Sequence, residues 1–233
     1  TPENTVLTLV GDFEPSQVQI QLNQALVGWK AQKSSEPLTV PEVDLPQAIQ
    51  RSLVPLPGKS QVVTFMGYPG IRRHDRRFHA AIVLNQILGG DTLSSRLGTE
   101  IRDRQGLTYG IYSYFAAGQV AEPFVIEMQT APEDTEQAIQ SAIALLRQLR
   151  QDGVSENELR TAKRSLINSY PVELANPDVV AHRVLMNAVD GFEVEEIREF
   201  PSKIEAISME QINEVIQDLI QPDHLLIVSA GPV

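Results

Sequence analysis

Two periods of hydrophobic residues alternate along the chain. Apolar runs or alternations close to period two predict short strands at residues 6–10, 61–66, 107–115, 124–130 and 225–228. Between them, apolar residues at helical spacing predict helices. Val18, Leu22, Ala25, Leu26 and Trp29 mark the first, and Phe78, Ile82, Ile87 and Leu88 fall near one face of a second over residues 76–88. Leu93, Leu97 and Ile101 stand at i, i+4 and i+8 in a third, which Asp91 or Thr92 caps and Gly106 stops. Pro132 opens a long amphipathic helix through Ala138, Ile139, Ala142, Leu145, Leu146 and Leu149. Ser155, with Glu158 three residues on, is a capping box for another that runs towards Tyr170. Shorter helices are expected over residues 178–188, 194–207 and 209–220. Tyr68-Pro69-Gly70 reads as a turn and Ala116-Ala117-Gly118 as a hairpin connection. Antiparallel strands early, helices grouped after them and a last strand returning to the sheet make an α+β pattern.

The two ends of the chain resemble each other. Pro2-Glu3-Asn4-Thr5-Val6-Leu7-Thr8-Leu9-Val10-Gly11 aligns without gaps on Pro222-Asp223-His224-Leu225-Leu226-Ile227-Val228-Ser229-Ala230-Gly231. Such self-similarity is the mark of repeated architecture. It suggests that residue 1 falls near the end of a preceding, mostly absent repeat. From Lys30 to Pro57 prolines sit among Ser, Gln and Glu, which reads as an extended linker. The expected organisation is therefore a tail of a sister domain at residues 1–35, a linker at 36–50 and a domain proper at 51–233.

Composition narrows the function. The 233 residues carry 30 acidic against 19 basic side chains, a formal charge of −11, which disfavours nucleic acid and anionic lipid as partners. There are no cysteines, which excludes disulfides, thiol nucleophiles and every cysteine-bearing metal site. No apolar stretch approaches the roughly 20 residues of a membrane span. No signal peptide stands at the front, so the chain is expected to be soluble, with its compartment undetermined. Thr1 rather than methionine stands first, which fits an engineered boundary or a processing site.

Chemistry begins with absences. His74 and His79 match neither H-E-x-x-H nor H-x-x-E-H, and His182 and His224 stand alone, so no zinc site is expected in this chain. No Gly-x-Ser-x-Gly elbow occurs. The cluster Arg72-Arg73-His74-Asp75-Arg76-Arg77 reads as a solvated face paired with local acids, or as a docking patch for an acidic partner. The densest stretch runs from Leu88 to Ser113. If its helix ends at Gln105, Arg102 lies in the last turn and Tyr109 two to three residues into the next strand. Arginine there offers planar donors for carbonyls or a carboxylate, and tyrosine a directional O–H for a developing oxyanion. The structural alternative is an arginine complementing the helix C-terminus and a tyrosine filling the hairpin face.

The same stretch, with R-L-x-x-E-I-R-x-x-x-G-L-x-Y from Arg96 to Tyr109, resembles the insulinase, pitrilysin and mitochondrial processing peptidase family of inverzincin metallopeptidases. Residues 4–12 resemble the family's N-x-x-L-x-x-x-G-D strand, residues 153–163 its G-V-x-x-x-E-L-x-x-A-K helix start, and residues 222–231 its closing strand. The resemblance implies an antiparallel-rich sheet with helices packed on it, one half-shell of a clamshell whose zinc, held by H-x-x-E-H, lies in an amino-terminal domain. This chain resembles the carboxy-terminal, non-zinc domain. By that resemblance Tyr109 donates a hydrogen bond to the scissile carbonyl as it becomes tetrahedral, and Arg102 holds substrate backbone. The implied partners are a peptide substrate and a zinc-bearing domain or subunit, in a homo- or heterodimer of processing-endopeptidase type, the chain being inactive alone. The acidic balance fits a chamber that takes basic, unfolded peptides. The alternative is a non-catalytic scaffold or assembly subunit of the same fold.

Overall fold

A computed structural model describes residues 2–30 and 40–232. The chain divides into two units. Glu42–Asn168 with Pro201–Val233 carry the sheet, and Thr1–Pro41 with Ser169–Phe200 form the other. Among the described residues five strands, β1 (Gln50–Pro55), β2 (Val62–Ile71), β3 (Thr108–Phe115), β4 (Glu122–Thr130) and β5 (Leu226–Gly231), form one sheet in the order β1-β5-β2-β4-β3. Only the β1 and β5 pair is parallel, so the α+β expectation with an antiparallel-rich sheet holds.

Alternation along the strands gives the sheet two unlike faces. Met66 and Tyr68 of β2, Ile111 of β3, Phe124, Ile126 and Met128 of β4 and Ile227 of β5 are buried on one of them. Helices α2 (Phe78–Leu88), α3 (Thr135–Asp152) and α7 (Met209–Leu219) belong to the same unit. They bury Ala81, Leu84, Ala142, Leu146, Ile212 and Ile216. Polar groups on the inward face are satisfied in pairs. Thr64 Oγ1 lies 2.9 Å from Ser229 Oγ, and the Tyr68 hydroxyl donates to the Leu219 carbonyl at 2.8 Å. Asn85 Nδ2 donates to the Ser113 carbonyl at 2.8 Å while Ser113 Oγ donates to Asn85 Oδ1 at 2.7 Å, which fastens the end of α2 to β3. The other face is open. In register across it lie Tyr112, Glu127, Phe65 and Val228, and beside them Tyr114, Val125, Gly67 and Leu226.

Three elements depart from expectation. β1 falls inside the proline-rich stretch read as linker; every residue in it is exposed and it is an edge strand, so it carries no buried alternation to betray it. β2 continues through Tyr68-Pro69-Gly70 rather than turning there. Pairing with β5 ends at Gly67, so Pro69, which lacks an N–H, lies where β2 has β4 as its one neighbour. Residues 6–10 are not a strand. Val6, Leu7, Leu9 and Val10 are exposed, and among the described residues no strand pairs with them. A strand needs a ladder partner to satisfy its backbone, and this stretch finds none here. Helix α1 (Pro15–Ala25) follows as expected. Residues 31–39, where the tail at 1–35 gives way to the linker at 36–50, lie outside the described residues.

The second unit also holds the end of α4 (Glu156–Leu174), α5 (Pro177–Asp190) and the start of α6 (Glu195–Glu205). Tyr170 stacks on Phe200 with ring centroids 4.5 Å apart and donates its hydroxyl to the Ile197 carbonyl. Arg183 stands over the Tyr170 ring and pairs with Glu173 at 2.6 Å.

Candidate functional site

The corner between Asp91 and Gly110 is built by caps. Asp91 Oδ1 accepts from the Leu93 and Ser94 amides at 2.8 Å each, bonds that hold its carboxyl below the usual range. Residues 92–94 are turn and Ser95 a bend rather than the first turn of an α-helix, and Leu93 is 65% exposed instead of lining the expected apolar stripe. Leu97 and Ile101 are fully buried as expected. The stretch Gly98–Arg104 is π-helical, with the Gln105 amide reaching the Glu100 carbonyl five residues back. Single π turns are frequent at functional sites. Gly106, at φ +69°, then reverses the chain in a conformation that a side chain disfavours.

Arg102 and Tyr109 meet across this reversal through the main chain. Arg102 Nε donates to the Tyr109 carbonyl at 3.0 Å and Nη1 pairs with Asp103 at 2.6 Å. No hydrogen bond to Nη2 occurs among the described residues. The tyrosine itself sits in a β-bulge. Thr108 faces Thr130 and Gly110 faces Gln129, so Tyr109 is the extra residue. Thr108 and Ile111 are both buried although three residues apart, which leaves Tyr109 and Gly110 together on the open side. Tyr109 is 86% exposed. The Thr108 hydroxyl holds the bulge: it lies 2.5 Å from the Gln129 carbonyl and 2.8 Å from that of Gly110, and accepts from the Gly110 amide at 3.2 Å. Tyr109 therefore shares a face with Tyr112, Tyr114, Phe65 and Val125. On that face Tyr112 bonds Glu127, which raises its phenol above the usual value.

Other residues of the motif are structural. Arg96 Nε and Nη2 fork onto Glu158 at 2.7 and 3.0 Å, and Nη2 also donates to the Gly153 carbonyl. Glu158 closes the expected capping box as well, accepting from the Ser155 amide and hydroxyl at 2.8 Å each. The arginine bonds first, and the cap second, draw its carboxyl down to about 2 against the opposing effect of burial. The basic cluster is paired with local acids. Arg76 forks onto Glu214, Arg77 bonds Asp75 and Asp218, Arg72 bonds Glu42, and Arg73 lies over the Phe78 ring at 4.0 Å.

Cavities adjoin these elements, among them one of about 710 Å³ lined by Asp91, Thr92, Leu93, Tyr112 and Tyr114. One of about 380 Å³ lies on the open face among Val43, Pro46, Phe65, Val125, Leu226 and Val228. A larger one of about 740 Å³ opens among Gln86, Arg96, Thr99, Leu145, Gln148 and Asn157, and neither Arg102 nor Tyr109 lines it. Among the described residues no three His, Cys, Asp or Glu side chains converge, and His224 Nδ1 lies 2.6 Å from the Pro46 carbonyl.

Similarity to known proteins defines first the class of fold. The crystal structure of a peptidase M16 inactive domain from Pseudomonas fluorescens superimposes on 96% of this chain with a TM-score of 0.81 at 27% identity, using 52% of its own length. A protease from Helicobacter pylori shares the fold over 96% of this chain and 54% of its own, with a TM-score of 0.80 at 17% identity. Residues 1–166 match the family described as the peptidase M16 inactive domain, and the chain belongs to that family. Among curated relatives, the uncharacterized zinc protease YmxG of Bacillus subtilis is 23% identical over 226 residues, 97% of this chain and 54% of that protein. The chain thus spans about half the length of YmxG and of the Pseudomonas fluorescens chain.

Proposed function

We propose that this domain is the substrate-binding, non-zinc half of a processing-type zinc endopeptidase, and that Tyr109 and Arg102 serve an active site whose zinc is carried by another domain or subunit. The carrying observation is the bulge. An 86% exposed tyrosine is held at a locked irregularity of β3, on the face where Tyr112, Tyr114 and Phe65 also stand clear of the helices. Bulges of this kind re-aim side chains beside active sites. The Tyr109 phenol would donate to the peptide carbonyl oxygen as negative charge gathers there, and Arg102 would steady substrate backbone with the nitrogen it has to spare. Residues 1–35 would then belong to a sister domain, joined through 36–50 to the domain proper at 51–233. The partner half could be part of the same polypeptide or a second subunit, in a homo- or heterodimer. Tyr109→Phe in the assembled peptidase is the test. The loss of one oxyanion donor should lower kcat by about 10²-fold with the fold intact. Wild-type turnover would leave the scaffold reading standing.

A further inference from the structure

The open face of the sheet is interrupted at Gly67. In the register Val125 lies on one side of it and Leu226 on the other, while Phe65 and Pro69, two residues before and after it on β2, share its side of the sheet. Four side chains thus surround a position that has none. A Cβ at Gly67 would collide with the Phe124 carbonyl oxygen, so the close approach of β4 keeps the gap open. The cavity of about 380 Å³ lies here. Ligand cavities run from about 300 to about 1,000 Å³, so this one takes a single large side chain rather than a folded partner.

A strap borders it. Glu42 pairs with Arg72, just past the end of β2, and the Pro46 carbonyl lies 2.6 Å from His224 Nδ1, just ahead of β5. Between these two tethers Val43 and Asp44 line the cavity. Among the described residues Asp44 is the one charged side chain in the lining, and it has no hydrogen bond or ion pair there. Most of the remaining wall is apolar, and Phe65, Pro46, Pro69 and Pro123 bring flat faces to it. Tyr114, opposite Val125 on β3, extends the surface beyond.

We propose that this cavity is an anchor site for one aromatic side chain of an extended peptide that carries a cation beside it. Flat apolar walls suit a ring. The unpartnered Asp44 carboxylate favours a neighbouring Lys or Arg, and a chain of formal charge −11 enriches cationic peptides around it. The inference deepens the proposed function and rests on its reading of the open face as the substrate side, but it uses neither Arg102 nor Tyr109.

Binding of an acetylated, dye-labelled Ser-Arg-Phe-Arg-Ser peptide to the 233-residue chain, followed by fluorescence anisotropy, tests this without zinc or turnover. Saturable binding is expected, and its absence would overturn the proposal. Replacing Phe by Ala in the probe should weaken binding by about 10- to 100-fold, the worth of one buried aromatic side chain. Equal affinity would overturn the anchor. Replacing both arginines by Gln should weaken binding roughly 3-fold, and Asp44→Asn should weaken the arginine probe as much while leaving the Gln probe unchanged. An arginine preference that survives Asp44→Asn would overturn the pairing. Leu226→Asn and Val43→Ser, both at exposed positions, should each weaken the Phe probe by about 3- to 10-fold with unchanged circular dichroism and leave the Ala probe unaffected. Wild-type binding by both variants would move the site elsewhere. Self-association that Leu226→Asn abolishes, with no peptide bound, would give the cavity to a second copy and overturn the proposal as well. Binding with this pattern, together with normal turnover by Tyr109→Phe in the assembled peptidase, would sustain the anchor site while removing the catalytic role of Tyr109. Slow turnover by that variant with no probe binding would do the reverse.

Discussion

Arg102 Nε donates to the carbonyl oxygen of Tyr109 at 3.0 Å across the reversal at Gly106, so the guanidinium braces the peptide that carries the phenol. The seven-residue spacing is thus a mechanical link. Nη1 is engaged by Asp103, and the remaining terminal nitrogen is the one available to a ligand.

Under the proposed function, replacement of Arg102 should be felt twice, as lost contact with substrate and as a less firmly placed Tyr109. Arg102→Ala in the assembled peptidase is expected to raise KM and to lower kcat/KM by roughly 10- to 100-fold, the loss of about 1.4–2.7 kcal/mol. Arg102→Lys should not restore it, because an ammonium lacks the planar fork that serves the carbonyl and the carboxylate together. Steady-state kinetics with unchanged KM and kcat in both variants would remove Arg102 from the site.

Thr108 makes a sharper probe of the bulge. Thr108→Val preserves shape but strips the hydroxyl from two carbonyls and the Gly110 amide. Faster exchange of the Gly110 amide and about tenfold lower turnover are expected, for a cost near 1–2 kcal/mol. Thr108→Ser should recover both. Slower turnover without faster exchange would contradict the bulge as the cause.

Acid should loosen the union of Arg96 and Glu158. The Glu158 carboxyl titrates at about 2 when folded, below its ordinary 4.5, so its contribution is complete above the ordinary value and is lost as pH falls towards 2. Because the pair is partly solvated, Glu158→Gln should cost only about 1–2 kcal/mol at neutral pH. The difference from wild type should shrink steadily below pH 4.5. Urea denaturation at several pH values would show it, and a pH-independent difference would refute the linkage.

Tyr68 carries a stability prediction without functional overtones. Its buried hydroxyl donates to the Leu219 carbonyl at 2.8 Å and accepts from the Gln221 amide at 3.1 Å, and burial raises its phenol well above the usual value. Tyr68→Phe leaves both main-chain groups unpaired at a cost of about 1–3 kcal/mol. Calorimetry should show Tm lower by roughly 2–10 °C.

Caps, periodic helices and the hairpin were legible because they are local. Ser155 and Glu158, Gly106, and the buried line of Leu97 and Ile101 announce themselves within a few residues. β1 was not legible, since an edge strand exposed at every position has no pattern to show. Pro69 misled because its tolerance depends on where the neighbouring strand stops. In the site, Arg102 and Tyr109 stood out through their motif, whereas Thr108 and the bulge did not. The available signal was the parity between buried Thr108 and Ile111, which only the pairing with β4 exposes. Arg96 carries as strong a motif signal as Arg102, yet its partners, Glu158 and the Gly153 carbonyl, lie about sixty residues away in sequence.

The place of β5 also sets a timetable. As the chain emerges during synthesis, β2, β4 and β3 can pair early, but β1 has no neighbour in the sheet until residues 226–231 arrive. Gln50–Pro55 must wait about 170 residues for its only ladder, exposed to wrong partners in the meantime. A chain cut just before Leu226 would lose two ladders at once and set β1 adrift from its sheet.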